Sequence, residues 1–575
     1  MKRYWKYIRP YIQYYILGPC FMMMEVVGDV LLPYMLAKII NQGIAEKNVA
    51  YIIKIGAIMG LISVIMAVGG VLGAWFASKA AMNFGADLRM DLFEKIQQFS
   101  FQNIDNFSTG SLITRLTNDI TQIQNMIMMT LRMCLRSPGI LIGAMVMAFV
   151  ISPKLAAIFI IVLPVLAVLI VVIMRRAFPQ FRTLQEKLDA LNSCIQEGLV
   201  GIRLIKSFVR GDYEEMRFEK RNQQLKEANL TAMKTMLLYT PLMTLALNIT
   251  TVVVVWSGGN MIVAGNMQVG DLTAFTNYIV QIMSSLTMLS IAFLNWARAI
   301  ASFRRVGEVL DEEIDLTDEN AKHKDRAVCE GSVEFQNVSF RYYKNSPEWV
   351  IENISFKLEA GKTLGIIGST GSGKSTLVSM IPRLYDTDEG TVLVDGINVR
   401  DYGLKPLREG IGMVLQNNTL FSGSITENLK WGDEHADEKA VRKAAQNAQA
   451  AGFIDSFKDG YRTRLEQSGN NVSGGQKQRL CIARALLKCP KILILDDSTS
   501  AVDTATERAI REALHSEYKD MTKIIIAQRI RSVMDADEIL VLDNGKTAGF
   551  GTHEQLLADC PVYREIYDVQ NGREE

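Results

Sequence analysis

Histidine and cysteine are scarce in this chain, and their placement argues against several kinds of site. The 575 residues include four histidines and seven cysteines. The cysteines are scattered and odd in number and show no metal-ligand spacing, so we expect neither a cysteine-based metal site nor a disulfide framework. Runs of lysine and arginine typical of a nucleic-acid-binding patch are also missing. We therefore expect no nucleic-acid partner.

The net charge and the methionine content of the chain both change near residue 310. Residues 1–310 carry 29 Lys and Arg against 18 Asp and Glu, and they hold 24 of the 28 methionines. The remaining residues carry 33 Lys and Arg against 43 Asp and Glu. A nearly neutral total therefore conceals a basic part with long apolar runs and an acidic part with short ones. A chain of 575 residues is also expected to hold more than one domain.

Six apolar segments of the first part are long enough to cross a bilayer, which takes about 20 residues in a helix. We predict a transmembrane domain over 1–310. Basic residues precede the first span, so the positive-inside rule predicts that both termini and the two long polar connections are cytoplasmic. The tips of those connections, near 101–110 and 208–215, are placed to touch another domain. The predicted spans are 15–41, 51–76, 127–151, 155–176, 238–263 and 272–297.

Charged residues inside spans are costly and are therefore candidates for function. Glu25 and Asp29 lie one helical turn apart in the first span. Arg132 and Arg136 repeat that spacing in the third span, and Arg298 lies near the end of the sixth. Two interpretations stay open: the acids form structural ion pairs with arginines, or they line a substrate cavity that favours cations. Pro33, Pro138, Pro164 and Pro241 are candidate kink sites.

A glycine-rich segment follows the apolar strand 363–367 and precedes a helix, which is the context of a phosphate-binding loop. Its backbone N–H groups and the helix N-terminus suit phosphate oxygens, so we predict bound ATP. Lys374 is expected to reach the β- and γ-phosphates, and Ser375 is expected to ligate Mg²⁺. Asp496, at the end of a later apolar strand, is placed to hold Mg²⁺ through water. The predicted loop residues are Gly368, Ser369, Thr370, Gly371, Ser372, Gly373, Lys374, Ser375 and Thr376.

A Ser-Gly-Gly-Gln segment, just before another predicted helix, resembles the signature loop of ATP-binding-cassette (ABC) proteins. Six spans followed by one cassette resemble an ABC exporter half-transporter, and the resemblance covers essentially the whole chain. It implies an all-α six-helix membrane domain with long cytoplasmic extensions, joined by a linker at 311–330 to an α/β P-loop NTPase cassette at 331–575. The signature residues are Ser473, Gly474, Gly475 and Gln476.

The resemblance implies roles for three further positions. Tyr342 is expected to stack on adenine, and Gln416 to touch Mg²⁺ and water. Asp503 belongs to a loop, 500–503, that crosses to a second cassette. In this family two cassettes sandwich two ATP molecules, and each signature loop covers the ATP of the other chain. The second tip, 208–215, is expected to dock on the partner's cassette.

Two positions depart from the family pattern. Asp497 stands where the family has a catalytic glutamate, so its carboxylate reach is one methylene shorter. Misplacing a catalytic group by about 1 Å can cost roughly a hundredfold in rate. Gln528 stands where the family has a switch histidine, and an amide can neither carry charge nor shuttle a proton. The loop 466–469 also differs from the family's usual sequence.

These departures predict a heterodimer. The chain's own ATP site would be degenerate, while its signature loop would complete the competent site of a partner that carries the glutamate and the histidine. We predict export of amphipathic compounds across a bacterial cytoplasmic membrane. One alternative is a slow homodimeric exporter of lipid or peptide. Another is an ATP-gated channel or regulatory receptor that uses ATP binding rather than turnover.

Overall fold

Two compact units make up the computed structural model, which describes residues 2–343, 346–498 and 501–571. One unit comprises Met1–Gln97 and Gly110–Asp311, and the other comprises Gln98–Thr109 and Glu312–Glu575. The short segment 98–109 therefore belongs to the second unit, although the chain on both sides of it belongs to the first.

The first unit is helical, as long apolar segments must be in lipid, where every backbone polar group needs an internal partner. Among the described residues, five stretches are long and apolar enough to cross a membrane: Trp5–Ile44, Val49–Gln97, Thr109–Ile151, Pro153–Val200 and Gly211–Val263. The sixth predicted span lies in helix Val269–Asp311. Several side chains of that helix, including that of Arg298, lie outside the described residues.

The predicted third span is interrupted. One helix ends at Met133 and the next begins at Arg136, so Arg132 and Arg136 do not lie on one continuous helix as the sequence suggested. Pro138 explains the break, because it has no N–H to donate to the Cys134 carbonyl and its ring crowds that carbonyl. The helices are Trp5–Ile8, Ile12–Lys38, Val49–Gln97, Thr109–Thr114, Ile120–Met133, Arg136–Ile151, Pro153–Val200, Ile202–Ser207, Gly211–Leu237, Tyr239–Val263 and Val269–Asp311.

The second unit combines sheets with short helices. Its strands are β1 Val333–Phe340, β2 Ile351–Leu358, β3 Thr363–Gly368, β4 Glu389–Val394, β5 Ile397–Asn398, β6 Ile411–Val414, β7 Gly423–Ser424, β8 Arg464–Leu465, β9 Ile492–Asp496, β10 Thr522–Ile526, β11 Glu538–Asp543 and β12 Lys546–Gly551. Its helices are Phe101–Asp105, Lys374–Ser379, Leu404–Glu409, Ile425–Leu429, Glu438–Asn447, Ala451–Ser456, Gly474–Leu487, Thr504–Glu517, His553–Asp559 and Pro561–Asn571.

A six-stranded sheet in the order β12–β11–β3–β10–β9–β6 forms the centre of this unit. All its strands except β12 run parallel, and their apolar residues are buried on both faces, as parallel sheets require. A four-stranded antiparallel sheet, β2–β1–β4–β5, packs against one face around Phe335, Ile366 and Leu377. The carboxyl ends of β3, β10, β9 and β6 therefore lie side by side, which is where such sheets place ligands.

Candidate functional site

One cavity at the carboxyl ends of the central strands collects most of the predicted nucleotide-binding residues. Its volume is about 340 Å³. Most of these residues lie at or just after the carboxyl ends of β3, β6, β9 and β10, so neighbouring strands bring together positions that are far apart in the sequence. The lining consists of Tyr342, Val350, Thr370, Gly371, Ser372, Gly373, Lys374, Ser375, Thr376, Gln416, Asp496, Asp497, Ile526 and Gln528.

The phosphate-binding loop has a conformation that its glycines make possible. Gly373 has a φ of 89°, and a Cβ there would lie 2.6 Å from Cγ2 of Ile351. The Lys374 ammonium donates to the carbonyl oxygens of Gly368 and Ser369, at 2.9 and 2.7 Å. Gly368 and Ser369 therefore contact the lysine through their carbonyls, while residues 370–376 line the cavity.

The metal-binding candidates lie next to each other. The Ser375 hydroxyl donates to Oδ1 of Asp496 at 2.9 Å, and Asp496 is only 3% exposed. Burial raises the pKa of Asp496 and lowers that of Lys374. Hydroxyl, carboxylate and amide oxygens are the hard ligands that Mg²⁺ prefers. Within the described residues, no group of three or more His, Cys, Asp or Glu side chains could hold a metal. Binding of Mg²⁺ at Ser375, Gln416 and Asp496 stays a prediction.

The two residues that depart from the family pattern contact each other. The Gln528 amide donates to Oδ2 of Asp497 at 2.8 Å. Asp497 follows β9 directly and has a φ of 46°, a left-handed conformation that aspartate adopts more readily than most residues. Burial raises the pKa of Asp497, and the hydrogen bond from Gln528 opposes that rise. The carboxylate at the family's base position is therefore held by an amide.

Tyr342 lies at the edge of the cavity, with its hydroxyl 2.8 Å from Oγ1 of Thr376. Its ring meets Phe340 and Tyr385 edge-on, at centroid distances of 5.1 and 5.4 Å, and 37% of the residue is exposed. An aromatic face is thus held beside the loop. Its stacking on adenine stays a prediction.

The signature residues lie elsewhere in the unit. Ser473 caps helix Gly474–Leu487: its Oγ accepts from the Gln476 N–H, and the Gln476 side chain accepts from the Ser473 N–H at 2.9 Å. A Cβ on Gly475 would lie 2.8 Å from the Ala501 carbonyl. None of the four described residues Ser473, Gly474, Gly475 and Gln476 lines the cavity.

The predicted inter-cassette loop is described from Ala501 onward, and Ser500 lies outside the described residues. Asp503 caps helix Thr504–Glu517 by accepting from the Thr506 N–H at 3.0 Å. Hydrogen bonds to its carboxylate, that from Thr506 above all, lower the pKa of Asp503. Its carboxylate therefore has a local structural contact in addition to its predicted role.

Sequence reasoning assigned no role to two connecting side chains. Gln478 is buried in the signature helix, and its amide oxygen accepts from the Ala501 N–H at 3.0 Å, tying the loop to that helix. Tyr385 donates to Oδ2 of Asp105 at 2.9 Å. Gln478 lies two residues after the last signature residue, Gln476, so the motif itself pointed to its position. Tyr385 carried no sequence signal, because its partner lies 280 residues away.

Comparison with known proteins decides the family. Residues 15–286 match the family model described as ABC transporter transmembrane region, and residues 351–500 match the one described as ABC transporter. "Uncharacterized ABC transporter ATP-binding protein YfiB" of Bacillus subtilis (strain 168) is 39% identical over 574 residues, covering 100% of this chain and 99% of its own. The chain belongs to the ABC transporter family.

Two further similarities bear on this ABC exporter. "Putative multidrug export ATP-binding/permease protein YgaD" of B. subtilis (strain 168) is 33% identical over 584 residues and 99% of both chains. A solved structure of a bacterial Atm1-family ABC exporter with ATP bound matches 99% of both chains with a TM-score of 0.81 at 24% identity, which shows the fold. The predicted fold class, a helical membrane domain fused to a nucleotide-binding cassette, is confirmed. ATPase-coupled transport by a multi-pass membrane protein is confirmed as well.

In the membrane domain of this exporter, both candidate acids face one arginine. Nη2 of Arg136 lies 2.8 Å from Oε1 of Glu25 and 3.5 Å from Oδ2 of Asp29. Gln281 donates to the Asp29 carbonyl at 2.8 Å. This geometry favours the structural ion pair of the two interpretations. A role of Glu25 and Asp29 in a substrate cavity stays a prediction.

Proposed function

We propose that this chain is one subunit of a heterodimeric exporter whose own ATP site holds nucleotide but cleaves it slowly. The observation that carries the proposal is the 2.8 Å hydrogen bond from Gln528 to Asp497. An effective general base must reach the attacking water with a free carboxylate oxygen. Here the carboxylate is one methylene short, and one of its oxygens accepts from an amide that cannot shuttle a proton.

The same site is equipped to bind ATP with Mg²⁺. Lys374 and the loop N–H groups would hold the phosphates, and Tyr342 would contact the adenine. Ser375, Gln416 and Asp496 would hold the ion, with Asp496 acting through water. Bound Mg²⁺ neutralises phosphate charge. Binding also relieves the cost of burying Lys374 and Asp496, whose pKa values are shifted by desolvation.

The signature residues are placed to serve a second cassette. Because Ser473–Gln476 lie outside this chain's own cavity, the ATP they contact would be the one on the partner. The second membrane-domain tip supports a partner as well. Phe208 and Val209 are 69% and 89% exposed, and apolar side chains at a tip suit docking on another protein. Val209 has a φ of 52° and separates the helices ending at Ser207 and beginning at Gly211.

We infer that the cargo is amphipathic, and that export proceeds outward across a bacterial cytoplasmic membrane with both termini in the cytoplasm. The similarity to YgaD, which is named as a multidrug exporter, and the methionine-rich membrane domain support this cargo class. Thioether side chains repack easily around varied apolar ligands. ATP binding would favour the outward-facing state to the extent that ATP binds that state more tightly.

Two variants of this chain separate the heterodimer from a homodimer. The chain is isolated as a complex with its partner half-transporter, and the ATP turnover of the complex is measured. Asp497→Asn should change turnover less than about twofold, whereas Ser473→Ala should lower it at least about tenfold, as loss of an oxyanion donor does. In a homodimer both variants would lower turnover, because every site would use both residues.

Controls separate phosphate contact from helix capping. Ser473→Asp keeps a capping side chain but places negative charge where the γ-phosphate is expected, so it should lower turnover as well. Ser516→Ala removes an exposed hydroxyl whose hydrogen bonds lie within helix Thr504–Glu517, and it should have no effect. Ordinary exporter turnover by the purified chain alone would overturn the proposal.

A further inference from the structure

Lys523 is a charged residue in the middle of the central sheet. It lies on β10, in register with Thr363 of β3 and Leu493 of β9, and only 5% of it is exposed. Its neighbours Ile524 and Ile526 belong to the core between the two sheets. Side chains alternate along a strand, so Lys523 and Ile525 project to the opposite face. That face is covered by helix 504–517 and by the segment that follows Gln528.

The Lys523 ammonium has no direct partner within the described residues: it makes neither a hydrogen bond nor an ion pair. Asp520 and Asp537 act on it only from beyond contact distance, and burial lowers its pKa. A buried charge is expensive unless it is paired. The ammonium is not completely enclosed, and the cavity beside the strand is where water or a ligand can contact it.

A cavity of about 700 Å³ opens beside Lys523 and Ile525. Arg508 and Arg511 of helix 504–517 line it from one side, and Arg531 lines it from the other. Its volume falls within the range of small-molecule sites, about 300–1,000 Å³. None of its lining residues belongs to the lining of the ATP cavity.

Positive charge exceeds negative charge in this cavity. Its two lining carboxylates are already engaged: Glu512 pairs with Arg508 at 2.9 Å, and Asp535 pairs with Arg511 at 3.4 Å. Lys523 adds a further cation to the lining. Nε of Arg511 is buried and has no hydrogen-bond acceptor among the described residues. Two nitrogen donors in one cavity therefore lack an acceptor.

We propose that this cavity binds an organic anion, a phosphate or carboxylate carried on an apolar body. Lys523 and Arg511 would contact the anionic group, and Ile525, Ile530 and Met534 would contact the apolar part. Helix 504–517 follows the inter-cassette loop, and residues 530–536 follow Gln528. A bound anion would therefore connect the two segments that lead to the ATP site. These segments are already joined by the hydrogen bond that Arg511 donates to the Arg531 carbonyl at 2.7 Å.

Acylation of Lys523 in the full transporter tests the proposal. With ATP in excess, the transporter is treated briefly with acetic anhydride, and modification of each lysine is measured by peptide mass spectrometry. Phenyl phosphate and phenylacetate should slow modification of Lys523 at least about fivefold at saturation. Inorganic phosphate should require about tenfold more ligand, because it lacks an apolar body. Exposed Lys519, four residues earlier, should be unaffected by any of them.

Phenyltrimethylammonium is the charge-reversed probe and should give no protection. Equal protection by this cation, or none by either organic anion, would overturn the proposal. Protection by inorganic phosphate at the same concentration as phenyl phosphate would also contradict the apolar subsite.

Lys523→Met gives an independent result. It removes the charge while keeping a similar length, so binding of phenyl phosphate, followed by saturation-transfer NMR, should weaken at least about tenfold. The thermal midpoint of the nucleotide-free transporter should stay the same or rise, because an unpaired buried charge is removed. Lys519→Met is the matched control and should bind phenyl phosphate as the parent does. Unchanged binding by Lys523→Met would overturn the assignment of this lysine.

Discussion

Charged residues of the ATP site are held in a partly dehydrated environment before any nucleotide binds. Burial lowers the pKa of Lys374 and raises the pKa values of Asp496 and Asp497. All three shifts have the same physical cause, which is that the charged form loses water contacts. The site is thus arranged for a ligand of complementary charge, at a cost to the stability of the free cassette.

Asp496→Asn should show this cost. A raised pKa means that the contribution of Asp496 to stability is present below its unfolded pKa and is lost as the pH rises through its folded pKa. Asp496→Asn should therefore raise the free energy of unfolding of the nucleotide-free protein at pH 7.5, because burial disfavours the charged carboxylate and the amide carries no charge. This gain in the free energy of unfolding should vanish near pH 4. The variant should also lose the stabilisation that ATP with Mg²⁺ gives the parent.

Thermal unfolding in detergent between pH 4 and pH 8 measures the effect. Asp459→Asn, which changes an exposed aspartate of the same unit, is the control and should follow the parent at every pH. A gain from Asp496→Asn that grows as the pH falls would contradict the assigned cause.

Helix Phe101–Asp105 shows how a short element is incorporated into a unit formed mainly by a distant part of the chain. Ser100 and Asn103 cap it reciprocally, which satisfies donors at its N-terminus. Asn103 also donates to the Glu313 carbonyl at 2.9 Å. Asp105 accepts from Tyr385, whose ring in turn meets Tyr342. Burial raises the pKa of Tyr385 further above physiological pH, where a tyrosine hydroxyl is already protonated and can donate.

Asp105→Ala should weaken communication through this helix. It removes the acceptor of the Tyr385 hydroxyl, an exposed hydrogen bond of the kind that contributes about 0.5–1.5 kcal/mol. We expect stimulation of ATP turnover by transported compounds to fall at least about threefold, a change of roughly 0.7 kcal/mol. Basal turnover should remain near that of the parent, because Asp105 is not part of the ATP cavity. Asp325→Ala is the control for losing an exposed carboxylate, and equal loss of basal and stimulated rates in Asp105→Ala would contradict this role.

At the scale of the whole molecule, the proposed heterodimer divides binding from cleavage. The cavity of this chain would hold one ATP beside Asp497 and Gln528, and its signature residues would cover another. Such a pair would keep its cassettes engaged through the retained nucleotide while the partner's site turns over.

Retention of uncleaved ATP tests this division. After incubation with labelled ATP and Mg²⁺ and rapid gel filtration, the pair should retain roughly one intact ATP, because slow cleavage leaves the γ-phosphate in place. Lys374→Ala should abolish retention, whereas the corresponding lysine change in the partner should not. Recovery of ADP alone on the parent pair would contradict the prediction.

Local motifs determined much of this protein from the sequence alone. The phosphate-binding loop, the signature segment and the two altered positions were readable because loop conformation and helix capping depend on residues a few positions apart. Those motifs predicted the family and the fold class, and they placed Asp497 and Gln528 in one site. Both residues line one cavity in the structure, because β9 and β10 are neighbours in the sheet.

Tertiary structure alone decided which distant side chains meet. It placed Arg136 against both Glu25 and Asp29, joined Asp105 to Tyr385, and left Lys523 facing a basic cavity without a direct partner in the described residues. The break in the third span differs from these contacts, because it lies just ahead of Pro138, which the sequence already marked as a candidate kink site. The hydrophobic pattern and the local motifs of the sequence indicate which helices and strands form. Contacts between elements depend on packing that no short stretch of sequence encodes, because each partner is selected by the whole fold.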